Sequence, residues 1–171
     1  MRRVHQQEHE MQLRFSSGFS FSVRFFAYLL LFSVGFWVFS LHERLSPVQR
    51  TIAGLSAAIE RLAGGHAVAR HEDVVVQSMT MVVNHECTGI FVYMLFTAFI
   101  LAYPAPWVGR LSGFAIGVPL IFAVNVLRLA TLARVVEIYP QAFFYMHEYV
   151  WQGIFAVFVL VGAITWAERF D

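Results

Sequence analysis

Residues 87–128 read CTGIFVYMLFTAFILAYPAPWVGRLSGFAIGVPLIFAVNVLR, and this stretch decides the fold. An apolar run at 90–103 is followed by the break Pro104-Ala105-Pro106-Trp107, and a second apolar run at 111–127 ends on Arg128. Two such runs around a proline break form a membrane hairpin. Cys87 lies 20 residues before Trp107 and Arg128 lies 21 after it. In an antiparallel pair, equal distance from the turn means equal depth. At a rise of 1.5 Å per residue both lie about 30 Å from the turn, roughly one hydrocarbon thickness. The single cysteine and an arginine that interrupts an apolar run therefore meet at one membrane face.

Composition agrees with a membrane chain. Of 171 residues, 58% are hydrophobic and only 13% are charged, where soluble domains carry about 25% charged residues. The net charge of +1, with no basic stripe, excludes a nucleic-acid binder. One cysteine excludes an intrachain disulfide, a paired-cysteine redox motif and an iron–sulfur site. All 12 basic residues are arginine, which excludes Schiff-base chemistry on lysine. Seven histidines leave metal ligation open.

Working outward toward the N-terminus, residues 1–20 are polar, carry Arg2, Arg3 and Arg14, and read as a cytoplasmic tail. Residues 25–41 are apolar, follow Arg24, and are expected to be the first transmembrane helix. A signal peptide is the other reading, with Val38-Phe39-Ser40 as a loose cleavage site. The run is long for that role, and Phe36-Trp37 is bulky where such a region is small. Residues 42–86 form the one large hydrophilic insertion. Ser46-Pro47 starts a helix in which Ile52, Leu55, Ile59 and Leu62 recur at helical spacing, up to the stop at Gly64-Gly65. It reads as an amphipathic helix at the membrane surface. Residues 66–70 and 74–83 read as two strands of a hairpin joined through 71–73, although an irregular half-buried segment would give the same pattern.

The second helix must include Cys87-Thr88-Gly89, because 90–103 alone reaches only about 21 Å. The third carries Gly109, Gly113 and Gly117 at four-residue spacing, a face that admits close helix approach. Arg128 falls about 20° from the Gly117 direction, with Asn125 one turn deeper and Pro119 as an expected kink. Tyr139-Pro140 interrupts the pattern, and His147-Glu148 opens the last helix. The expected fold is an α-helical integral membrane protein with one membrane domain. It has about four transmembrane helices (25–41, 87–103, 111–128, 148–166) and a small extracytoplasmic helix-plus-hairpin insertion at 42–86. Four arginines ahead of the first helix core favour a cytoplasmic N-terminus. That puts Cys87, Arg128 and His147 on the outer side.

Cysteine, arginine and histidine at one depth permit acyl chemistry. A thiolate attacks a carbonyl, a cation stabilises the oxyanion, and an imidazole moves the proton. Each residue also has an ordinary reading: a packed cysteine, a snorkelling arginine, an interfacial histidine. Arg128 is followed by Leu129-Ala130-Thr131-Leu132-Ala133, which makes it an interruption rather than an edge. His85 and Glu86 flank the cysteine, as orienting groups or as plain loop residues. Asn125 is a third supporting candidate.

Glu86-Cys87-Thr88-Gly89-Ile90, Asn125-Val126-Leu127-Arg128 and His147 resemble the motifs of the exosortase/archaeosortase transpeptidases, most closely the exosortase H subgroup. The resemblance covers about 87–150. It implies a cysteine transpeptidase or protease of the bacterial inner membrane, with no cofactor, its site facing outward. The implied substrates are exported proteins carrying a C-terminal sorting signal: a short motif, a transmembrane helix and a basic tail. Cys87 would be the nucleophile, Arg128 the electrostatic stabiliser and His147 the proton-transfer group, with the acceptor nucleophile unspecified. The chain departs from the family in helix count, since many members have about eight. Two other readings stay open. One is a metal-binding membrane protein using Cys87, His85 and His147 with Glu86 or Glu148, which the neighbouring Arg128 disfavours. The other is a non-catalytic assembly subunit that docks through its glycine face.

Overall fold

The computed structural model describes residues 2–170 apart from Ser78, and for residues 2–17 the backbone alone. Helix α1 runs Arg2–Val38. The segment expected as a polar tail is thus continuous with the first helix, while the side chains of Arg2, Arg3 and Arg14 lie outside the described residues. The helix stops at Val38 rather than at residue 41 because Ser40 adopts a left-handed backbone, φ 48°. A 3₁₀ turn Leu41–Arg44 leads into α2, Ser46–Leu62, with proline in its first turn as expected.

Three short strands follow: β1 Val68–Arg70, β2 Asp73–Val76 and β3 Met79–Val82. They form an antiparallel meander in which Val68 faces Val75 and Val75 faces Thr80. The expected hairpin therefore gains a strand. Residues 74–83 do not run straight but fold back at Gln77, φ 52°. No glycine or asparagine marks that turn. Folding back puts Val74, Val76 and Met81 into the same buried core.

Helix α3, Ile90–Ala102, and α4, Trp107–Ile138, form the hairpin, with Pro106 capping α4. A three-residue helix α5, Phe143–Tyr145, a π-helical turn Met146–Val150 and α6, Trp151–Ala167, complete the chain. Among the described residues, three segments are long and apolar enough to cross a membrane: Gly18–Val38, Trp107–Ile138 and Pro140–Ala167. The chain is a helical, multi-pass membrane protein. The expected fourth crossing is shorter than the rest. Cys87 and Thr88 form a 3₁₀ turn and Gly89 turns left-handed, so α3 keeps only 13 residues, about 20 Å.

At 32 residues α4 is about 48 Å long, well beyond the ~30 Å hydrocarbon core. It runs unbroken through Pro119, and its last turns stand as a post on which α2 and the sheet pack as a cap. Ile52, Ala53 and Ala57 of α2 meet Leu129, Leu132, Ala133 and Val136 of α4, with the sheet valines closing the side. Burying each large aliphatic there contributes about 1.5–3 kcal/mol. The packed face of α2 is not its aliphatic stripe. Ile52 is buried, but Leu55, Ile59 and Leu62 are exposed, and the small residues Ala53, Ser56 and Ala57 turn inward. Small side chains bring α2 close enough for Ser56 Oγ to donate to the Val126 carbonyl at 3.1 Å. Polar ties close the cap. Glu137 pairs with Arg134 and with His66, each at 2.6 Å, and buried Glu60 accepts the Ala67 N–H at 2.8 Å. At its outer edge Ser46 and Arg50 hydrogen-bond the Glu72 carboxylate and hold it below the ordinary carboxylate range.

Below the cap the packing changes character. Phe96, Ile100, Ile121, Phe155 and Trp166 form a second core within the helices. The glycine face of α4 is filled by rings. A Cβ at Gly117 would lie 2.2 Å from Phe96, and one at Gly113 would lie 2.8 Å from the Trp166 ring nitrogen. That nitrogen donates to the Gly109 carbonyl at 3.1 Å.

Candidate active site

Cys87 stands in the turn between the cap and α3. Its N–H is held by Asn84, through the side-chain oxygen at 3.0 Å and the carbonyl at 3.1 Å. Thr88 Oγ1 donates to the His85 carbonyl at 2.6 Å. Gly89, φ 76°, then redirects the chain into α3, a conformation that L-residues other than Asn and Asp seldom adopt. Asn125 Nδ2 donates to the Cys87 carbonyl at 2.8 Å and so ties the turn to α4. The cysteine backbone is fixed from both sides, while its half-buried thiol lines a cavity of about 810 Å³.

Arg128 and His147 line the same cavity. Arg128 is 7% exposed, and its Nη2 lies 3.1 Å from His147 Nε2. A guanidinium only donates, so Nε2 accepts and the ring of a neutral His147 carries its proton on Nδ1. That nitrogen faces Glu148 Oε1 at 3.9 Å, and Gln152 holds the other Glu148 oxygen at 3.1 Å. The imidazole stacks on Phe143, with centroids 5.6 Å apart. It sits in a π-helical turn, which places it differently from a regular helix position. The result is an ordered row of Glu148, His147 and Arg128 across the cavity from Cys87. Arg128 Nε and Asn125 Oδ1 are buried without a hydrogen-bond partner among the described residues, so the guanidinium keeps donor capacity beyond His147. Burial works against a thiolate at Cys87, and the Arg128 cation works for it.

Of the sequence candidates, Cys87, Glu86, Arg128 and His147 share the cavity, and Asn125 braces it from below. His85 does not join them. Its ring lies among Phe36, Trp37, His42 and Phe91, with centroids 6.0–6.4 Å away. That arrangement removes one of the three ligands on which the metal reading depends. Among the described residues no three His, Cys, Asp or Glu side chains are grouped to hold a metal ion. The glycine face, the docking surface of the assembly reading, is occupied by the chain's own Phe96, Trp166 and Phe170.

Sequence reasoning missed Asn84, Phe143 and Gln152, and placed Glu148 only in the metal reading. Asn84 was legible as an Asx-type turn three residues before Cys87. Glu148 and Gln152 are an i, i+4 pair on a helix. Nothing local marks Phe143 as the platform for His147.

The family model described as transmembrane exosortase (Exosortase_EpsH) matches residues 14–167. No curated protein and no solved structure matches the chain.

Proposed function

The chain belongs to the transmembrane exosortase family, and from that premise we infer that Cys87, Arg128 and His147 are its working residues. Family membership implies a transpeptidase that processes sorting signals. The observation that carries the assignment to these residues is their convergence on one cavity where the cap meets the membrane helices.

In this reading the Cys87 sulfur adds to the carbonyl carbon of a substrate peptide bond, and Arg128 donates to the oxyanion that forms. His147 Nε2 is engaged by Arg128 in the resting site, so it becomes a base when the guanidinium turns to the substrate carbonyl. The ring then takes the thiol proton and returns it to the leaving amine as the C–N bond breaks. A thioester on Cys87 remains. An acceptor amine, hydroxyl or water attacks it, gives up a proton, and restores the thiol. Asn84 and Asn125 fix the cysteine backbone, and Glu148 faces the protonated Nδ1. The finer assignments belong to the same proposal: exported proteins with a C-terminal motif, helix and basic tail as substrates, and a site facing outward from the bacterial inner membrane.

Co-expression with a tagged candidate substrate, followed by mass spectrometry, should find an acyl adduct on Cys87. Normal processing by Cys87→Ala would overturn the assignment. Orientation is tested separately in a Cys87→Ala background. Leu62→Cys and Trp107→Cys, at positions 89% and 72% exposed, should label from opposite membrane sides.

A further inference from the structure

The cavity at Cys87 does not end there. It continues as a trough with α3 as its floor, α6 as one wall and Phe25 of α1 on the other. Along the π-helical turn and α6 its lining runs from Glu148 and Gln152, through Ala156 and Leu160, to Ile164. The sixteen residue-to-residue rises from Glu148 to Ile164 are about 24 Å. The polar lining, Glu86, Arg128, His147, Glu148 and Gln152, lies entirely at the Cys87 end. Below Gln152 every lining side chain is apolar, and several large ones, Phe91, Leu95, Leu160 and Ile164, stay exposed.

That lining dictates the form of an occupant. A peptide lying below Gln152 finds no side-chain donor or acceptor, so its own backbone must satisfy itself, and only a helix does so. At the Cys87 end, polar groups are present to receive a backbone that has left the helix, and a peptide carbonyl must be out of a helix to be attacked. The size agrees. A helix about 10 Å across and 24 Å long occupies roughly 1,900 Å³. A trough of about 810 Å³ takes less than half of its girth and leaves the rest to lipid. Ala156 and Ala163, one heptad apart on the trough wall, allow close approach.

We propose that the α1–α3–α6 trough is the docking site for one apolar transmembrane helix of the substrate. The helix seats between α1 and α6 with its end at the level of Gln152, and the bond presented to Cys87 lies within the first few residues beyond that end. This rests on the reading that Cys87 processes a membrane-anchored substrate, and it adds where the anchor sits and what positions the cut.

The test separates the two. Full-length Cys87→Ala chain, with a photoreactive residue at Leu160 or at Val157, is placed in lipid vesicles. The added probe is a peptide with a polar N-terminal flank, a leucine–alanine helix of about 20 residues and a basic tail. Leu160 lines the trough, whereas Val157 is 61% exposed outside it. Cross-linking to the peptide should be about tenfold stronger from 160 than from 157. Ala156→Trp should lower the signal from 160 by about tenfold, because the indole fills the trough. The same substitution in the chain that keeps Cys87 should leave labelling of that thiol by a small reagent unchanged, which shows that the fold survives. Equal cross-linking from both positions, or adducts to lipid alone at 160, would overturn the trough. A strong signal at 160 together with normal processing by Cys87→Ala would instead overturn the catalytic reading and leave the trough standing.

Discussion

The cap core and the membrane core are built from different side chains. Between α2, the sheet and the end of α4 the core is aliphatic and small, with Ile52, Ala53, Ala57, Val74, Leu132 and Ala133 fully or almost fully buried. Between α3, α4 and α6 it is aromatic, with Phe96, Phe155 and Trp166 filling the notches left by glycine. The cap can be close-packed because water drives its faces together. Within a bilayer, lipid competes for every apolar surface, so only shape matching remains. The cap is thus filled by its own side chains, while the membrane half keeps an open trough. Arg128 belongs to the post that the cap clamps, and Cys87 and His147 approach it from segments that enter the membrane half. The candidate site is a seam, fixed on one side and open to the bilayer on the other.

The largest expected effects come from the seam itself and should leave both halves intact. Cys87→Ala should reduce processing below detection. Cys87→Ser should nearly do so, because a hydroxyl supplies no comparable population of anion. Arg128→Lys retains the charge but loses the planar fork of donors that serves His147 in the resting site and the oxyanion during the reaction. Its rate should fall about a hundred- to a thousandfold. Protease resistance of the cap should stay at the wild-type level in all three variants. Loss of that resistance in Arg128→Lys would mean that the arginine serves packing rather than chemistry.

What was legible in the sequence follows the same division. The hairpin arithmetic brought Cys87 and Arg128 to one depth because helix rise is constant and Pro104-Ala105-Pro106 marks the turn without ambiguity. His147 followed from the next chain reversal. The cap was harder. Periodicity shows that α2 has two faces, but it does not show that the face with alanine and serine is the packed one, because close approach to α4 outweighs side-chain size. The turn at Gln77 has no glycine signal, and the direction of His85 depends on aromatic neighbours from α1 and α3 that are distant in sequence.

An intermediate effect is expected in the membrane half. Gly117→Leu puts a branched side chain where Phe96 now lies, with the first added carbon 2.2 Å from the ring. The ring sits on a flexible side chain and can move, so the expected cost is that of overpacking, about 1–3 kcal/mol. Phe96 also lines the trough, so its displacement should slow processing by about tenfold while leaving the cap as protease-resistant as before. Full activity in Gly117→Leu would show that the rings do not set the trough.

The smallest effect comes from a matched pair of glycines. Gly64, in the cap, and Gly89, at the seam, have φ of 84° and 76°. A Cβ at Gly64 meets nothing within 4 Å, and one at Gly89 meets only Asn125, at 3.5 Å, an ordinary contact. Replacing either by alanine therefore carries the same backbone penalty, about 1–2 kcal/mol, with little steric addition. Thermal unfolding should register both losses alike. Activity should not. Gly64→Ala strains the turn that ends α2, far from the cavity, and should process substrate at the wild-type rate. Gly89→Ala strains the residue that aims Cys87 and abuts Asn125, and should lose activity by about fivefold. An equal drop in both variants would mean that activity follows overall stability, and that the seam has no separate geometry to lose.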